Sequence, residues 1–339
     1  MGLTVLVTGA SGFIAKHIVL ALLERGHDVV GSVRSTERGE EVRAMAESHL
    51  GQDPGAALRF VELDLTSDEG WAEAMAGVDV LMHTASPFPL SQPKDEADLI
   101  RPAVEGTLRA LRAARDADLR RVILTSSVVS VAYGDWTGQR AVSEADWSDP
   151  TLDRNTAYTK SKTLAEQAAW DFVGKDGSGI ALTVINPALV LGPPADLRYG
   201  SSLQVVERIL KGKDPMLPQV GFGVVDVRDI ALMHVRAMER DKSIGQRFIG
   251  SNGWMWFAEA ARVLKEQFPE RRIPTRVAPN ALIRLLGLFD PSIGTIRHDL
   301  GRRYDLDNTK AREVLGVEFR PAEEALRASA RFLVKHNRV

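Results

Sequence analysis

Two side chains in the segment YTKSK are spaced to act together on a carbonyl group. Of the four tyrosines, only Tyr158 is followed by a lysine four residues later, Lys162, and on a helix the two lie on one face. Reduction of a carbonyl builds negative charge on its oxygen, so a proton donor must stand within hydrogen-bond reach. A phenol with a pKa of about 10 is a weak acid, but a nearby cation lowers such a pKa by roughly 1–3 units. The pair therefore predicts a tyrosine acid assisted by a lysine ammonium.

A third polar group is predicted beside this pair by the sequence TSS at 125–127. The residues before it form an apolar run that reads as a buried strand, and ligands of parallel sheets bind at the carboxyl ends of the strands. The TSS hydroxyls are therefore expected to face the cleft and to hold the carbonyl oxygen. A serine after a strand is also an ordinary turn residue, so this prediction depends on the tyrosine–lysine pair.

The glycines of VTGASGFIA, residues 7–15, predict a dinucleotide site. They follow the first predicted strand and open the first predicted helix, where backbone N–H groups and the helix N-terminus face a pyrophosphate. Gly9 suits the tight turn, Gly12 permits close approach of the ligand, and Ala15 is the small residue needed for helix–strand packing. A strand-to-helix turn without a ligand is the alternative.

The second predicted strand indicates which dinucleotide binds. NAD-binding folds usually carry an acidic residue near the end of this strand, and its charge would repel a 2′-phosphate. Here the strand ends in GSVRS, with Arg34 and no acid. A guanidinium bonds a phosphate bidentately, so NADP(H) is favoured, with a solvated surface arginine as the alternative. Asp64, after the third strand, is a candidate for the adenine amino group, and capping of a turn is an equal alternative.

Alternating strands and helices are predicted to position these residues. Short apolar runs read as strands buried on both faces, and the stretches between them have helical spacing, a pattern typical of an α/β fold with a doubly wound parallel sheet. The strands are predicted at 3–8, 28–33, 58–63, 78–84, 121–127 and 180–186. The helices between them are predicted at 12–25, 37–48, 69–76, 94–116 and 156–173.

A Pro/Gly/Ser-rich break after residue 186 predicts a second domain. A strand and helix at 224–239 and a strand at 247–251 then indicate that the chain returns to the first domain. The predicted division is a Rossmann-type cofactor domain of residues 1–190 with about 222–251, and a smaller, mostly helical substrate domain of about 191–221 with 252–339.

Aromatic residues are the candidates for the substrate pocket. Phe88 and Tyr199, with the loops of 190–222, are expected to form its walls. Trp254 and Trp256 can face either the substrate or the core, and the core is favoured.

Composition excludes several classes of function. Lys and Arg total 43 against 45 acidic residues, and neither sign forms a block, so neither nucleic acid nor an anionic membrane is a predicted partner. No apolar run reaches the roughly 20 residues of a membrane span. The chain has no cysteine, which excludes disulfides and thiol chemistry, and its scattered histidines predict no metal site. We expect a cytoplasmic monomer or homodimer acting on a small molecule.

Together, these motifs resemble those of the extended short-chain dehydrogenase/reductases. TGASGFIA matches the T-G-x-x-G-x-x-G/A loop of that superfamily, and TSS followed by YxxxK has its order. The segments HTASPF, PAVEGT, NPALVLGP and VDVRDIA are similar to those of the dihydroflavonol-reductase-like branch, with its carbonyl and aldehyde reductases. The similarity extends from residue 8 to residue 231, roughly two-thirds of the chain.

The resemblance implies an NADPH-dependent reductase of aldehydes or ketones, with hydride transfer from the B face of the cofactor. Ser127 would orient the carbonyl, Tyr158 would donate the proton, and Lys162 would assist. The flavonoid enzymes carry an Asn shortly after the serine, where this chain has Ala132, so a dihydroflavonol is not the expected substrate. Cofactor contacts are expected from Thr8, Gly9, Ser11, Gly12, Phe13, Ile14, Arg34, Asp64, Leu65, Thr84, Ala85, Ser86, Thr125, Tyr158, Lys162, Pro187, Ala188 and Val190.

Two other functions stay open. A nucleotide-sugar epimerase or dehydratase has the same scaffold, but such enzymes usually keep NAD bound and carry an acid where this chain has Arg34. A redox sensor that binds NADP(H) without turnover would commonly lack the tyrosine–lysine pair, which this chain keeps.

Overall fold

Twelve strands and eleven α-helices are assigned in the computed structural model, which describes residues 2–87, 95–135, 140–175 and 179–339. The strands are β1 (Thr4–Thr8), β2 (Asp28–Val33), β3 (Leu58–Glu62), β4 (Val80–His83), β5 (Arg121–Thr125), β6 (Arg140–Val142), β7 (Ala181–Pro187), β8 (Leu189–Leu191), β9 (Gly221–Asp226), β10 (Gln246–Gly250), β11 (Trp254–Trp256) and β12 (Tyr304–Leu306). The helices are α1 (Phe13–Leu23), α2 (Thr36–Leu50), α3 (Trp71–Met75), α4 (Ala97–Asp116), α5 (Ala157–Lys175), α6 (Leu203–Lys211), α7 (Val227–Glu239), α8 (Phe257–Gln267), α9 (Asn280–Leu286), α10 (Pro291–Gly294) and α11 (Ala322–Lys335). None of these helices is both long and apolar enough to cross a membrane.

A seven-stranded parallel sheet forms the centre of this structure. Its order is β10-β7-β5-β4-β1-β2-β3, so the direction of winding reverses between β1 and β4, where α/β folds bind their ligands. Side chains alternate across the strands: Val5 and Val7 pack towards α1 and α7, whereas Leu6 packs towards α4 and α5. The predicted doubly wound fold is confirmed, and β2 has the predicted bounds.

A smaller sheet lies beside the central one. It has the order β11-β9-β8, and its core is shared with α6, α8 and α11 through Leu203, Leu264 and Leu326. Only Ala188 separates β7 of the large sheet from β8 of the small one, and its backbone N–H donates to the carbonyl of Gly250 on β10 at 2.8 Å. β10 joins the large sheet, whereas β9 joins the small one. The division of the chain into two domains stays a prediction.

Candidate active site

The glycine turn between β1 and α1 has the shape of an anion cradle. Gly9 has a φ of +66°, and a Cβ there would lie 3.1 Å from the Cβ of Ala85, so glycine suits this position best. Gly12 is the N-cap of α1 and has no side chain to occupy the first N–H groups of the helix. Free N–H groups and the helix dipole favour a phosphate at this end, and a pyrophosphate therefore fits the cradle.

Thr8 positions the neighbouring loop instead of facing the cavity. It is fully buried, and its hydroxyl oxygen accepts from the N–H groups of Thr84 and Ala85, each at 3.1 Å. Its hydroxyl hydrogen is left for Nδ1 of His83 at 2.9 Å. Burial lowers the pKa of His83 to about 3, so the imidazole is neutral and can accept at Nδ1. The neighbouring loop thus takes up the hydrogen-bonding capacity of the Thr8 hydroxyl, and the contact of Thr8 with the cofactor stays a prediction.

The structure brings the three predicted reactive side chains into one cavity. Ser127 lies between β5 and a 3₁₀ turn over Val128–Ser130, and its oxygen accepts from the N–H of Val129 at 3.3 Å. Tyr158 and Lys162 lie one helical turn apart near the start of α5, and both line the same cavity as Ser127. The Ser127 side chain also hydrogen-bonds the Tyr158 phenol, so two hydroxyls converge on one point.

Burial dominates the protonation of this pair. It lowers the pKa of Lys162 to about 8, and the Glu166 carboxylate opposes that shift. It also raises the pKa of Tyr158, and the hydrogen bond from Ser127 opposes that shift. Without the cofactor, the shift of the Tyr158 pKa is thus opposite to the lowering expected from a nearby cation, because burial disfavours the phenolate more than the Ser127 hydrogen bond favours it.

Arg34 stands exposed just after β2. It makes no hydrogen bond or close ion pair with any residue that the structure describes, although its charge helps to lower the pKa of Asp64. Asp64 itself caps a turn, since its Oδ1 accepts from the N–H and the hydroxyl of Thr66, both at 2.7 Å. The structure thus favours the turn-capping alternative for Asp64 and leaves the Arg34 guanidinium available.

Most of the residues expected at the cofactor line a single cavity of about 840 Å³. Those on its wall are Gly9, Gly12, Phe13, Ile14, Thr84, Ser86, Thr125, Tyr158, Lys162, Pro187, Ala188 and Val190. Those outside the wall that the described residues form are Thr8, Ser11, Arg34, Asp64, Leu65 and Ala85. No cluster of three or more His, Asp or Glu side chains suited to a metal ion occurs in the described part of the chain.

The two side chains predicted to form walls of the substrate pocket are Phe88 and Tyr199. Phe88 lies outside the described residues. Tyr199 turns away from the cavity: its ring packs edge-on against Phe332 of α11 with centroids 6.0 Å apart, and its hydroxyl accepts from Nε of Arg338 at 3.4 Å. The expectation that Tyr199 forms a pocket wall is therefore wrong, because α11 offers its ring an apolar surface.

Aromatic residues form the far end of the cavity. Phe222 belongs to the loops of 190–222 that were expected to form walls, whereas the sequence did not single out Tyr133 and Tyr304. Trp254 lines the cavity as well, although the core was the favoured place for it. Tyr304 contacts Tyr133 and Trp254, with ring centroids 5.5 Å and 5.7 Å apart. β12 carries Tyr304 to this place by pairing with β6, and such long-range pairing has no local signal in the sequence.

With this geometry established, comparison with known proteins identifies the family. Residues 5–249 match the NAD-dependent epimerase/dehydratase family. The chain belongs to this family. The protein is 33% identical over 330 residues to cinnamoyl-CoA reductase 1 of Arabidopsis thaliana, and the alignment covers 96% of this chain and 87% of that one. It is 30% identical over 355 residues to NADPH-dependent methylglyoxal reductase GRE2 of Saccharomyces cerevisiae, covering 98% of each chain.

A solved structure extends the similarity to the whole fold. The crystal structure of yeast methylglyoxal/isovaleraldehyde reductase Gre2 complexed with NADPH aligns with this family member at a TM-score of 0.80 and 29% identity. The alignment covers 99% of this chain and 100% of that one. Membership of the extended short-chain dehydrogenase/reductases, predicted from the motifs, is confirmed.

Proposed function

We propose that the protein is an NADPH-dependent reductase that converts aldehydes or ketones to alcohols, reversibly. The observation that carries this proposal is the convergence of Ser127, Tyr158 and Lys162 on the cavity that also contains the glycine cradle. The names of the similar proteins, which are reductases of cinnamoyl-CoA, methylglyoxal and isovaleraldehyde, support the same reaction class.

The phosphates, the nicotinamide ribose and the nicotinamide ring of the cofactor each have matching residues. When bound, NADPH supplies the hydride for the carbonyl carbon. The turn of Gly9 and Gly12 would hold its pyrophosphate, and the exposed guanidinium of Arg34 would hold its 2′-phosphate. The Lys162 ammonium would bond the hydroxyls of the nicotinamide ribose, and Pro187 would meet the nicotinamide ring.

The proton comes from the chain itself. The Ser127 hydroxyl would hold the substrate oxygen, and Tyr158 Oη would give its proton to that oxygen as negative charge develops there. The phenolate that remains is stabilised by the Lys162 ammonium. The hydroxyls of Ser127 and Tyr158 hydrogen-bond each other. A carbonyl oxygen placed between them would replace that bond by one hydrogen bond from each hydroxyl.

The aromatic end of the cavity favours carbonyl compounds with an apolar group. Tyr133, Phe222, Trp254 and Tyr304 present ring surface there, and such surface binds apolar groups by burial. The near balance of 43 basic and 45 acidic residues argues against a nucleic-acid partner, and the lack of cysteine fits the cytoplasm; that the protein is a monomer or homodimer stays an expectation.

The function is tested by incubating the purified protein with NADPH or NADH and a panel of aldehydes and ketones while the absorbance of the reduced cofactor is followed. We expect consumption of NADPH with at least one carbonyl compound of apolar character. Tight binding of NADP(H) without any turnover would favour a redox sensor. Conversion of nucleotide sugars with retained NAD would favour an epimerase or dehydratase. Arg34 argues against this alternative, because such enzymes usually carry an acidic residue at that position.

The pH dependence gives an independent prediction. Since burial lowers the pKa of Lys162 to about 8, its ammonium is present below that pH and is lost above it. We expect kcat/KM, which reports groups of the free enzyme, to fall above about pH 8. Tyr158 does not cause this fall, because burial raises its pKa above the usual value.

A lysine-to-arginine variant is the control for this pH profile. The guanidinium of Lys162→Arg stays charged throughout the accessible range. The activity that remains in this variant should therefore persist to higher pH. If kcat/KM of this variant fell at the same pH as in the wild type, the fall would have to be assigned to a group other than Lys162.

A further inference from the structure

One buried carboxylate beside the proposed reactive centre has no part in the steps described above. Glu166 is 1% exposed and lies on α5 one helical turn after Lys162 and two turns after Tyr158. Residues spaced by four share one face of a helix. Glu166 thus lies on the same face of α5 as Tyr158 and Lys162, and it is the last of the three along the helix.

Three partners of Glu166 come from the backbone segments around Ser127. Its Oε2 accepts from the hydroxyls of Ser126 and Ser130, each at 2.5 Å, and from Nδ2 of Asn186 at 2.8 Å. The same amide nitrogen of Asn186 donates to the Ser127 carbonyl at 3.2 Å. One oxygen atom therefore joins the end of β5, the turn after it and the end of β7. Loss of that acceptor would remove the 2.5 Å partner of the buried Ser126 hydroxyl. Ser130 and Asn186 would keep the Ser127 carbonyl as an acceptor.

The other oxygen of Glu166 is held by an arginine from the sheet edge. Oε1 accepts from Nε of Arg247 on β10 at 2.6 Å. Arg247 is 7% exposed, donates to the carbonyls of Glu144 and Asp146 at 3.0 and 2.8 Å, and stacks on Trp147 at 3.8 Å. The Glu166 carboxylate and the Arg247 guanidinium thus form a buried ion pair, and a buried charge needs such a partner.

The Glu166 carboxylate also acts on Lys162. Burial disfavours the ammonium form of Lys162, and the charge of the Glu166 carboxylate favours it. On the neighbouring β4, His83 is neutral, since its pKa is lowered to about 3. At the N-cap of α4, which packs against α5, the carboxylate of Glu96 is paired with Lys160 at 2.9 Å. In the part of the chain that the structure describes, Glu166 is the carboxylate whose charge favours the ammonium form of Lys162.

We propose that Glu166 is a positioning residue of the reductase centre: its carboxylate fixes the Ser127 turn against α5, one helical turn from Lys162. This inference rests on the proposed function. A residue that only stabilised the fold would change the melting temperature and the active fraction. It would not change the pH at which Lys162 loses its proton.

The test replaces the carboxylate by its neutral isostere, Glu166→Gln. We expect kcat to fall by about 10²-fold, the cost of a reacting group displaced by about 1 Å, with KM for NADPH little changed. The alkaline fall of kcat/KM should move to lower pH by about one unit, because the negative charge next to Lys162 is gone. The matched control is Trp170→Phe, which removes a 3.5 Å hydrogen bond to Glu166 and keeps the charge. In that variant the alkaline fall should not move.

A titration without turnover separates this inference from the proposed function. The ¹³Cε resonance of Lys162, assigned by its loss in Lys162→Arg, reports protonation directly in the uncomplexed protein. We expect its midpoint at lower pH in Glu166→Gln than in the wild type. An unchanged midpoint with a lower melting temperature would overturn the proposal and leave Glu166 a structural residue. If the wild type reduces no carbonyl compound, the proposed function fails, and the midpoints still decide whether the two charges are coupled.

A second variant covers the case in which Glu166→Gln does not fold. Glu166→Asp keeps the charge but withdraws the carboxylate from Ser126 and Ser130 by one methylene. We expect a lower kcat, a Lys162 midpoint near that of the wild type and little change in KM for NADPH. A wild-type kcat in Glu166→Asp would overturn the positioning role.

Discussion

Replacement of Tyr158 by phenylalanine is expected to lower kcat by about 10²–10⁴-fold, the usual contribution of a positioned general acid. The ring and its packing remain, so only the proton donor is lost. Binding of NADPH should persist, because the glycine cradle and Arg34 are separate from the phenol. The rate is measured from the absorbance of NADPH under saturating substrate, and cofactor binding from NADPH fluorescence.

The matched control for this variant is Tyr199→Phe. It removes the same hydroxyl from a tyrosine whose ring packs on Phe332 and whose oxygen bonds Arg338, away from the cavity wall. We expect its kcat to equal that of the wild type. If Tyr158→Phe also retained the wild-type kcat, the proton would have to come from another group, and the proposed role of Tyr158 would be wrong.

Replacement of Arg34 by aspartate is expected to weaken NADPH binding by about 10²-fold. Hydrogen bonds to charged groups contribute roughly 1.5–3 kcal/mol, and each 1.4 kcal/mol corresponds to tenfold in affinity. The new carboxylate also repels the 2′-phosphate. NADH has no such phosphate, so its Kd should change little and the preference should move towards NADH. Titrations with both cofactors measure this ratio.

Arg59→Asp controls for the change in net charge. Arg59 is exposed on β3, where it pairs in register with Val30, three residues before the end of β2. We expect this variant to keep the wild-type ratio of NADPH to NADH affinity. A wild-type ratio in Arg34→Asp as well would mean that Arg34 does not contact the 2′-phosphate.

The sequence predicts best those parts of the site that local spacing determines. In a parallel α/β sheet the carboxyl ends of the strands share one edge, so Gly9 after β1 and Ser127 after β5 could be placed together without knowledge of the structure. Tyr158 and Lys162 follow from helical spacing alone. Arg34 could be predicted for the same reason, since it directly follows β2.

The remainder of the site depends on contacts between distant segments. Tyr304 and Trp254 reach the cavity through the strand pairs β12–β6 and β11–β9, and no periodicity signals those pairs. The partner of Glu166, Arg247, lies 81 residues further along the chain. The direction of the Tyr158 pKa shift could not be predicted from the sequence either, because it depends on how much water the folded chain removes from the phenol.

The single-residue link at Ala188 bears on how substrate enters. One residue separates β7 from β8, and that residue is bonded to Gly250. Movement of one sheet against the other at this place would have to break that hydrogen bond next to Pro187. We therefore expect side chains and loops at the rim of the cavity to move more readily than the two sheets, and we expect them to set the upper size of an accepted carbonyl compound.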